Sequence, residues 1–259
     1  MPTRWIEAGG VQLRYELTQP DGATKAGSTI VLVHEMGGMI ESWAEAAPLL
    51  SRRGPVLAYD QRGSGLSEKP FGSTTTAVHA DDLAALLDAL EIGEKVAVVG
   101  CAVGAAIAAT FAARHPGRVA ALAMLSPATC LLSGRAGPVA ERAEALREKG
   151  VRAAYGLDAR KSRSRYDEMC LAADPRAFAE IWSMLAAMDM DADLAAIACP
   201  TLVAAGRRDA SRPPEHVRDV AAKIAGARYL ELDTGHIMAL DTPELTASTI
   251  VEFLAENGL

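Results

Sequence analysis

The sequence predicts an α/β protein with a mostly parallel eight-stranded sheet, helices on both faces and a small helical lid. Short apolar runs rich in β-branched residues, such as TIVLV at 29–33, are typical of parallel strands buried on both faces. These runs alternate with segments of helical periodicity, which indicates a parallel sheet covered by helices. The alternation stops at about 128–196, where no convincing strand occurs, and then resumes. We therefore expect a single domain over 1–259 with a helical lid inserted at about 128–196.

The individual elements follow one another in a regular order. Segments 4–8 and 11–17 alternate polar and apolar residues around a Gly-Gly pair, which predicts a β-hairpin. Leucines recur on one face of 76–91, which predicts a helix. Further strands are predicted at 29–33, 55–60, 95–99, 119–125, 199–206 and 227–232. Further helices are predicted at about 42–52, 103–114, 213–225 and 243–256.

Composition and charge exclude several classes of protein. The 259 residues carry a formal net charge of -7 and no lysine/arginine tract that would follow a phosphate backbone, so we expect no nucleic-acid partner. The four cysteines lie far apart, without a C-x-x-C motif or paired histidines, which argues against a disulfide framework and a structural zinc site. The N-terminal segment MPTRWIEAGG lacks the continuous apolar stretch of a signal peptide, and no apolar run is long enough to span a bilayer. We therefore expect a cytoplasmic protein with no membrane partner.

The stretch VAVVGCAVGAA at 96–106 has the pattern of a strand that turns sharply into a helix, where many hydrolases carry a nucleophile. Such a turn is so tight that the residues two before and two after its tip must be very small. Gly100 and Gly104 meet this requirement if Ala102 is the tip, whereas a tip at Cys101 would be flanked by two stiff valines. The spacing favours Ala102, which has no nucleophilic atom, and Cys101 is interpreted as a small buried residue. Taken alone, the two glycines could also serve close strand–helix packing.

Three other segments supply the groups of an acyl-transfer site in the chain order nucleophile, acid, histidine. The loop LVHEMGG directly follows a buried strand, and we expect the N–H of Met36 to join that of Val103 as an oxyanion donor. Asp209 in AAGRRD falls just past a strand end, and His236 in DTGHIMAL lies in the loop after the last strand. Because the loops after parallel strands converge at one edge of a sheet, these groups are expected to meet there.

Each of these residues also has a simpler interpretation. Asp209 could cap a helix, and His236 could be an ordinary loop histidine. Asp233 is closer to His236 in sequence but is interpreted as a turn residue, and the strand at 119–125 is followed by SPA, which offers no acid. The coincidence of all the segments at one sheet edge favours Asp209 and His236 as a pair.

Motifs along nearly the whole chain resemble those of the α/β-hydrolase fold superfamily: LVHEMGG, YDQRGSGLSEKP, VVGCAVGA, CPTLVAAGRRD and DTGHIMALDTPE. Within that superfamily, the short lid and the pattern ERAEALREKGVRA … CLAADPRAFAEIWSMLAAMDMDADLAAIACP resemble the 3-oxoadipate enol-lactonase group. The resemblance implies hydrolysis of a small carboxylated lactone by a Ser-His-Asp triad at positions 102, 236 and 209, without a cofactor.

The chain departs from this pattern at three places. Ala102 replaces the serine of the elbow, Glu35 stands where the superfamily usually has a glycine, and LDARKSRSRYDE at 157–168 replaces an aromatic-proline segment of the lid. We therefore predict a serine-type hydrolase of a small carboxylic ester or lactone, present in an inactive form. Its serine has been lost naturally or replaced deliberately, and the intact acid and histidine favour replacement. The alternatives are an amide or carbon–carbon bond hydrolase with the same triad and a non-catalytic ligand-binding protein.

Several other residues are open to two interpretations. Glu35 could orient water or a substrate group, or face solvent, and Trp182 could line the substrate pocket or belong to the lid core. The lid arginines could form a solvated helix face, or one or two could hold a substrate carboxylate. These arginines are at positions 135, 142, 147, 152, 160, 163 and 165. His79, His115 and His216 are interpreted as surface residues of helices or loops.

Overall fold

The computed structural model describes residues 3–20, 27–158, 161 and 163–259, and the lid residue Arg160 lies outside this part of the chain. The strands of the described residues are β1 (Arg4–Ala8), β2 (Val11–Thr18), β3 (Ile30–Val33), β4 (Val56–Tyr59), β5 (Val96–Cys101), β6 (Val119–Leu125), β7 (Thr201–Gly206) and β8 (Arg228–Leu232). Their helices are α1 (Ala47–Leu50), α2 (Thr76–Ala89), α3 (Val103–Arg114), α4 (Ala136–Ala154), α5 (Arg165–Ala172), α6 (Pro175–Ala186), α7 (Asp191–Ala196), α8 (Pro214–Ala222), α9 (Met238–Asp241) and α10 (Pro243–Glu256). A 3-10 turn covers Ile40–Trp43.

All eight strands of the described residues form one sheet, in the order β1-β2-β4-β3-β5-β6-β7-β8. Strand β2 pairs antiparallel with β1 and β4, and every other pair of neighbours is parallel. This confirms the mostly parallel eight-stranded sheet that the sequence predicts. Because β3, β5, β7 and β8 run in the same direction, the loops that follow them open at one edge of the sheet.

Helices cover both faces of the sheet, so the strands at its centre are buried on both sides. On one face, α2, α3 and α8 bury residues such as Leu86 and Phe111. On the other face, α1 and α10 bury residues such as Leu50 and Phe253. Helix α3 is rich in alanine and almost entirely buried, which lets its backbone lie close to β5 and β6. No helix within the described ranges is both long and apolar enough to cross a bilayer.

Helices α4 to α7 lie between β6 and β7 and make up the helical insertion, residues 128–196. The described part of this insertion contains no strand, as the sequence predicts, apart from an isolated bridge between Cys130 and Asp189. Its own small core joins α4, α5 and α6 through buried residues that include Leu146 and Phe178. The role of the insertion as a lid remains a prediction.

Two details differ from the sequence-based expectation. The helix predicted at 42–52 is a 3-10 turn followed by the one-turn helix α1, which begins beside Pro48 because proline is tolerated only in the first turn. His79 is buried on α2, so its interpretation as a surface residue is wrong. It precedes Leu83 by four positions and therefore shares the apolar face that packs on the sheet. Burial lowers the pKa of His79 to about 3.

Candidate active site

Ala102 occupies the sharp turn between β5, which ends at Cys101, and α3, which begins at Val103. Its backbone has φ 51 and ψ -114, a region that residues with a side chain rarely adopt. Neighbouring peptide groups hold this conformation: the N–H of Ala102 donates to Leu125 at 2.9 Å, and its carbonyl accepts from Ala128 at 3.0 Å. The end of β6 and the residues that follow it thus hold the backbone of Ala102 in this strained conformation.

The glycines around the turn are required by close backbone approach. A Cβ on Gly100 would lie 2.6 Å from the backbone nitrogen of Ala105, and one on Gly104 would lie 2.8 Å from the carbonyl carbon of Val33. Real Cβ atoms do not come this close to backbone atoms, so neither position tolerates a side chain without movement. The structure therefore places Ala102 at the tip, as the glycine spacing predicts.

Cys101 is the last residue of β5 and is fully buried. Its Sγ lies 3.8 Å from the carbonyl oxygen of His236. Burial raises the pKa of the Cys101 thiol well above its ordinary value, which suppresses the reactive thiolate. The residue is a packed core side chain, in line with its interpretation from the sequence.

Asp209 and His236 meet at the sheet edge from the loops after β7 and β8. Oδ2 of Asp209 lies 2.7 Å from Nδ1 of His236. Oδ1 of Asp209 accepts from the backbone N–H groups of Ser211 at 2.7 Å and Arg212 at 2.9 Å. Burial by itself would raise the pKa of Asp209, but the hydrogen bond and charge of His236 and the N–H of Arg212 bring it below its ordinary value. The carboxylate is thus held ionised at the Nδ1 edge of the imidazole.

The loop after β3 is braced by His34. The Nδ1–H of His34 donates to the carbonyl of Glu35 at 2.8 Å, and its Nε2 accepts from the backbone N–H of Gln61 at 3.1 Å. Both ring nitrogens are therefore engaged in holding the loop. Tyr166 of α5 donates its hydroxyl to the carbonyl of Met36 at 2.8 Å. Within the described residues, the N–H groups of Met36 and Val103 have no acceptor, so both are available to a ligand.

Glu35 is a buried carboxyl group at the same place. Its Oε1 accepts from the hydroxyl of Ser42 at 2.8 Å, while Oε2 has no partner among the described residues. Burial raises the pKa of Glu35 above its ordinary value. The expectation that Glu35 could face solvent is wrong, since only 2% of the residue is exposed.

A cavity of about 330 Å³ lies between the sheet edge and the helical insertion. From the sheet edge it is bordered by Glu35, Met36, Ala102, Val103 and His236. The insertion contributes mainly apolar and aromatic residues together with arginines: Val139, Arg142, Tyr155, Tyr166, Trp182 and Leu185. Every predicted site residue thus borders the cavity except Asp209, which reaches it through His236.

Arginines give the cavity its positive charge. Arg135, Arg142 and Arg212 all border it, and within the described ranges none of the three has a carboxylate at ion-pair distance. The guanidinium of Arg142 lies 4.6 Å from the ring centre of Tyr155 and 5.9 Å from that of Trp182. The sequence indicates that one or two lid arginines could reach the pocket. It does not predict Arg212, although this residue lies only three positions after Asp209.

The fold and this site define a recognisable class of protein: an open parallel sheet with a strained turn after its fifth strand and an acid–histidine pair beside it. The chain belongs to the alpha/beta hydrolase fold family, whose model matches residues 28–166. This confirms the resemblance drawn from the motifs.

Several known proteins that are similar to the chain are hydrolases. The crystal structure of the enol-lactonase from Burkholderia xenovorans LB400 has a TM-score of 0.87 and 28% identity over 97% of this chain and 100% of that one. A thermophilic esterase from Thermogutta terrifontis has a TM-score of 0.86 and 26% identity over 99% of each chain. The 2-hydroxy-6-oxo-2,4-heptadienoate hydrolase of Pseudomonas putida is 34% identical over 129 residues, which are 47% of this chain and 43% of that protein. The match to the first curated relatives thus spans less than half of their length.

Proposed function

We propose that this protein has the active site of a serine-type hydrolase of a small carboxylic ester or lactone, with Ala102 in the place of the nucleophilic serine. The observation that carries the proposal is the conformation of Ala102. Its strained backbone holds it at the cavity that His236 also borders, so a serine there would present its hydroxyl to the cavity that contains a candidate general base. With alanine at this position, the protein cannot form an acyl-enzyme by this route.

With serine at position 102, the groups around the cavity would act in sequence. The serine hydroxyl would attack the carbonyl carbon while Nε2 of His236 takes its proton. Asp209, bonded to Nδ1, would keep the imidazole in the required tautomer and stabilise its charged form. The N–H groups of Met36 and Val103 would hold the oxyanion. His236 would then protonate the leaving alkoxide and activate the water that releases the acid.

Because Ala102 has no hydroxyl, the protein should not turn over esters by this route. Removing the nucleophile from such a triad costs about 10⁶ in kcat. The remaining acid, histidine and N–H groups can still bind a substrate in the cavity. A non-catalytic ligand-binding role is therefore the second class of function that this site could serve.

The substrate is proposed to carry a carboxylate. The three arginines that border the cavity lack carboxylate partners within the described residues, and a bound carboxylate would supply one. Two neighbours are in keeping with this choice: one similar structure is an enol-lactonase, and a similar esterase was solved with malate bound. The apolar and aromatic walls suit the rest of a small organic acid.

The test is the variant Ala102→Ser, assayed against a panel of small esters and lactones with and without a carboxylate. Restored hydrolysis by several orders of magnitude, lost again in the double variant Ala102→Ser/His236→Ala, is the expected result. No gain on any ester or lactone would overturn the proposal and favour the ligand-binding role.

Cleavage of a carbon–carbon bond next to a ketone is a second candidate reaction. A relative that shares 34% identity over 129 residues is a 2-hydroxy-6-oxo-2,4-heptadienoate hydrolase. Esters and vinylogous diketones offered to Ala102→Ser side by side distinguish the two reactions, because the preferred class gives the higher kcat/KM.

A further inference from the structure

We propose that the chain as it stands, with alanine at position 102, catalyses proton transfer at a carbon next to a carbonyl group, with His236 as the base and Glu35 as the acid. This activity goes beyond the proposed hydrolysis. It needs no nucleophile, because no covalent bond to the protein forms.

Glu35 is the group that hydrolysis leaves without a role. It borders the same cavity as His236 and the N–H groups of Met36 and Val103. Its Oε1 is bonded to Ser42, and its Oε2 has no donor within the described part of the chain. Burying a charged carboxylate with one oxygen left without a donor costs more than burying a neutral carboxyl group at the same place. The geometry therefore favours a neutral carboxyl group that carries its proton on Oε2.

The electrostatic surroundings of Glu35 support the same protonation state. Burial is the largest influence and raises the pKa of Glu35. His34 opposes it most, followed by the backbone N–H of Glu35, the hydroxyl of Ser42 and His236. The other titratable groups that face Glu35 come from α5 and from the end of β5, and they are Tyr166, Cys170 and Cys101. No cation among these groups forms an ion pair with Glu35 in the described residues.

His236 is placed to act as the base. Asp209 occupies Nδ1 and the ring borders the cavity, so Nε2 is the nitrogen left to accept a proton. Acid and base are thus held at one cavity together with two N–H groups that have no acceptor among the described residues.

The proposed step balances without any co-reactant. Nε2 of His236 takes the proton from the α-carbon, the C–H electron pair becomes the carbon–carbon double bond, and the carbonyl pair moves to oxygen. The N–H groups of Met36 and Val103 stabilise the developing charge on that oxygen, and Glu35 gives it a proton to form the enol. The imidazolium then returns a proton to Glu35 through water. The net reaction is tautomerisation, and its reversal in heavy water places deuterium on carbon.

Small carbonyl acids are the substrate class that fits. The arginines at the cavity attract a carboxylate, and 2-oxobutyrate places acidic C–H bonds next to a carbonyl in a molecule small enough for about 330 Å³. Its uncharged counterpart is 2-butanone.

The experiment uses the unaltered protein in heavy water and follows the C3 protons of 2-oxobutyrate by NMR. We expect exchange about 10²-fold or more above buffer, the range of one well-placed acid or base. Glu35→Gln should slow it at least about tenfold, and His236→Ala should bring it to the buffer rate. Glu45→Gln is the matched control, because Glu45 is exposed and pairs with Arg165 on the surface.

The pH profile separates a proton donor from a structural carboxyl group. The unaltered protein should lose activity at high pH as Glu35 ionises, and this descending limb should be missing in Glu35→Gln. Ser42→Ala removes the hydrogen bond that favours the ionised form, so it should move the descending limb to higher pH. If Glu35→Gln folds poorly, the pH profile of Ser42→Ala still tests the proposal. The proposal is overturned if neither 2-oxobutyrate nor 2-butanone exchanges faster than in buffer, or if Glu35→Gln keeps the rate and the profile.

Discussion

Nδ1 of His236 lies 2.7 Å from Oδ2 of Asp209, although 27 positions separate them in the chain. A backbone hydrogen bond of 3.0 Å from Arg208 to Thr234 ties their two loops together. The pair owes its position to two neighbouring parallel strands, β7 and β8, that end at the same edge of the sheet. His236 of this pair borders the same cavity as Ala102.

The pH dependence of protein stability should show how much the ionised form of Asp209 contributes to it. Its pKa is lowered in the folded protein, so its ionised form stabilises the fold. That contribution is complete above the unfolded pKa of about 3.9 and is lost as pH falls through the folded pKa. The Tm difference between the unaltered protein and Asp209→Asn should therefore be largest near neutral pH and shrink under acid conditions. The exposed Asp233, which pairs with Arg208, gives the control variant Asp233→Asn. A Tm difference for Asp209→Asn that stays constant down to pH 3 would contradict this account.

Gly104→Ala should destabilise the protein strongly. The new Cβ would overlap the backbone of Val33 and His34, so α3 would have to move away from β3. We expect a loss of about 1–3 kcal/mol or more in the free energy of unfolding, measured with urea. Gly137→Ala is the matched control, since nothing lies within 4 Å of a Cβ there. Equal effects of the two substitutions would mean that the turn is not tight.

Cys101 should be unreactive in the folded protein. It is fully buried and its thiol has a raised pKa, whereas Cys130 is half-buried. Iodoacetamide followed by peptide mapping should modify Cys130 first and Cys101 only after unfolding. If Cys101 were modified as fast as Cys130, it would again have to be considered as a candidate nucleophile.

Arg142 should recognise the substrate carboxylate. In the Ala102→Ser background, Arg142→Gln should raise KM for a carboxylated ester about tenfold, the size of one charge-assisted hydrogen bond. The KM for the corresponding methyl ester should not change. Arg147→Gln serves as the control, because Arg147 lies on the same helix but pairs with Glu180. Parallel changes in KM for both esters would point to a structural role of Arg142.

The sheet and the position of the sharp turn at Ala102 could be predicted from the sequence because both depend on local patterns. The bounds of α3 and β6 match the predicted segments 103–114 and 119–125, since apolar runs and small residues mark them. The turn at Ala102 was predictable because only its two glycines satisfy the backbone there.

Contacts between distant segments were not predictable in the same way. Tyr166 reaches Met36 across 130 positions, and no local pattern indicates such a bond. The burial of Glu35 depends on Ser42 and on α5 packing over the loop. The burial of His79, by contrast, could have been predicted. His79 lies four positions before Leu83, so the apolar face marked by the leucines of α2 extends to it by one helical turn.

Covalent labelling at position 102 tests the central claim most directly. The protein and its Ala102→Ser variant are treated with a fluorophosphonate, which reacts with a serine activated by a neighbouring histidine, and the masses of the intact protein and its peptides are determined. We expect one adduct on Ala102→Ser, located at residue 102 and abolished by adding His236→Ala, with none on the unaltered protein. The absence of an adduct on folded Ala102→Ser, or its formation at another residue, would contradict the central claim.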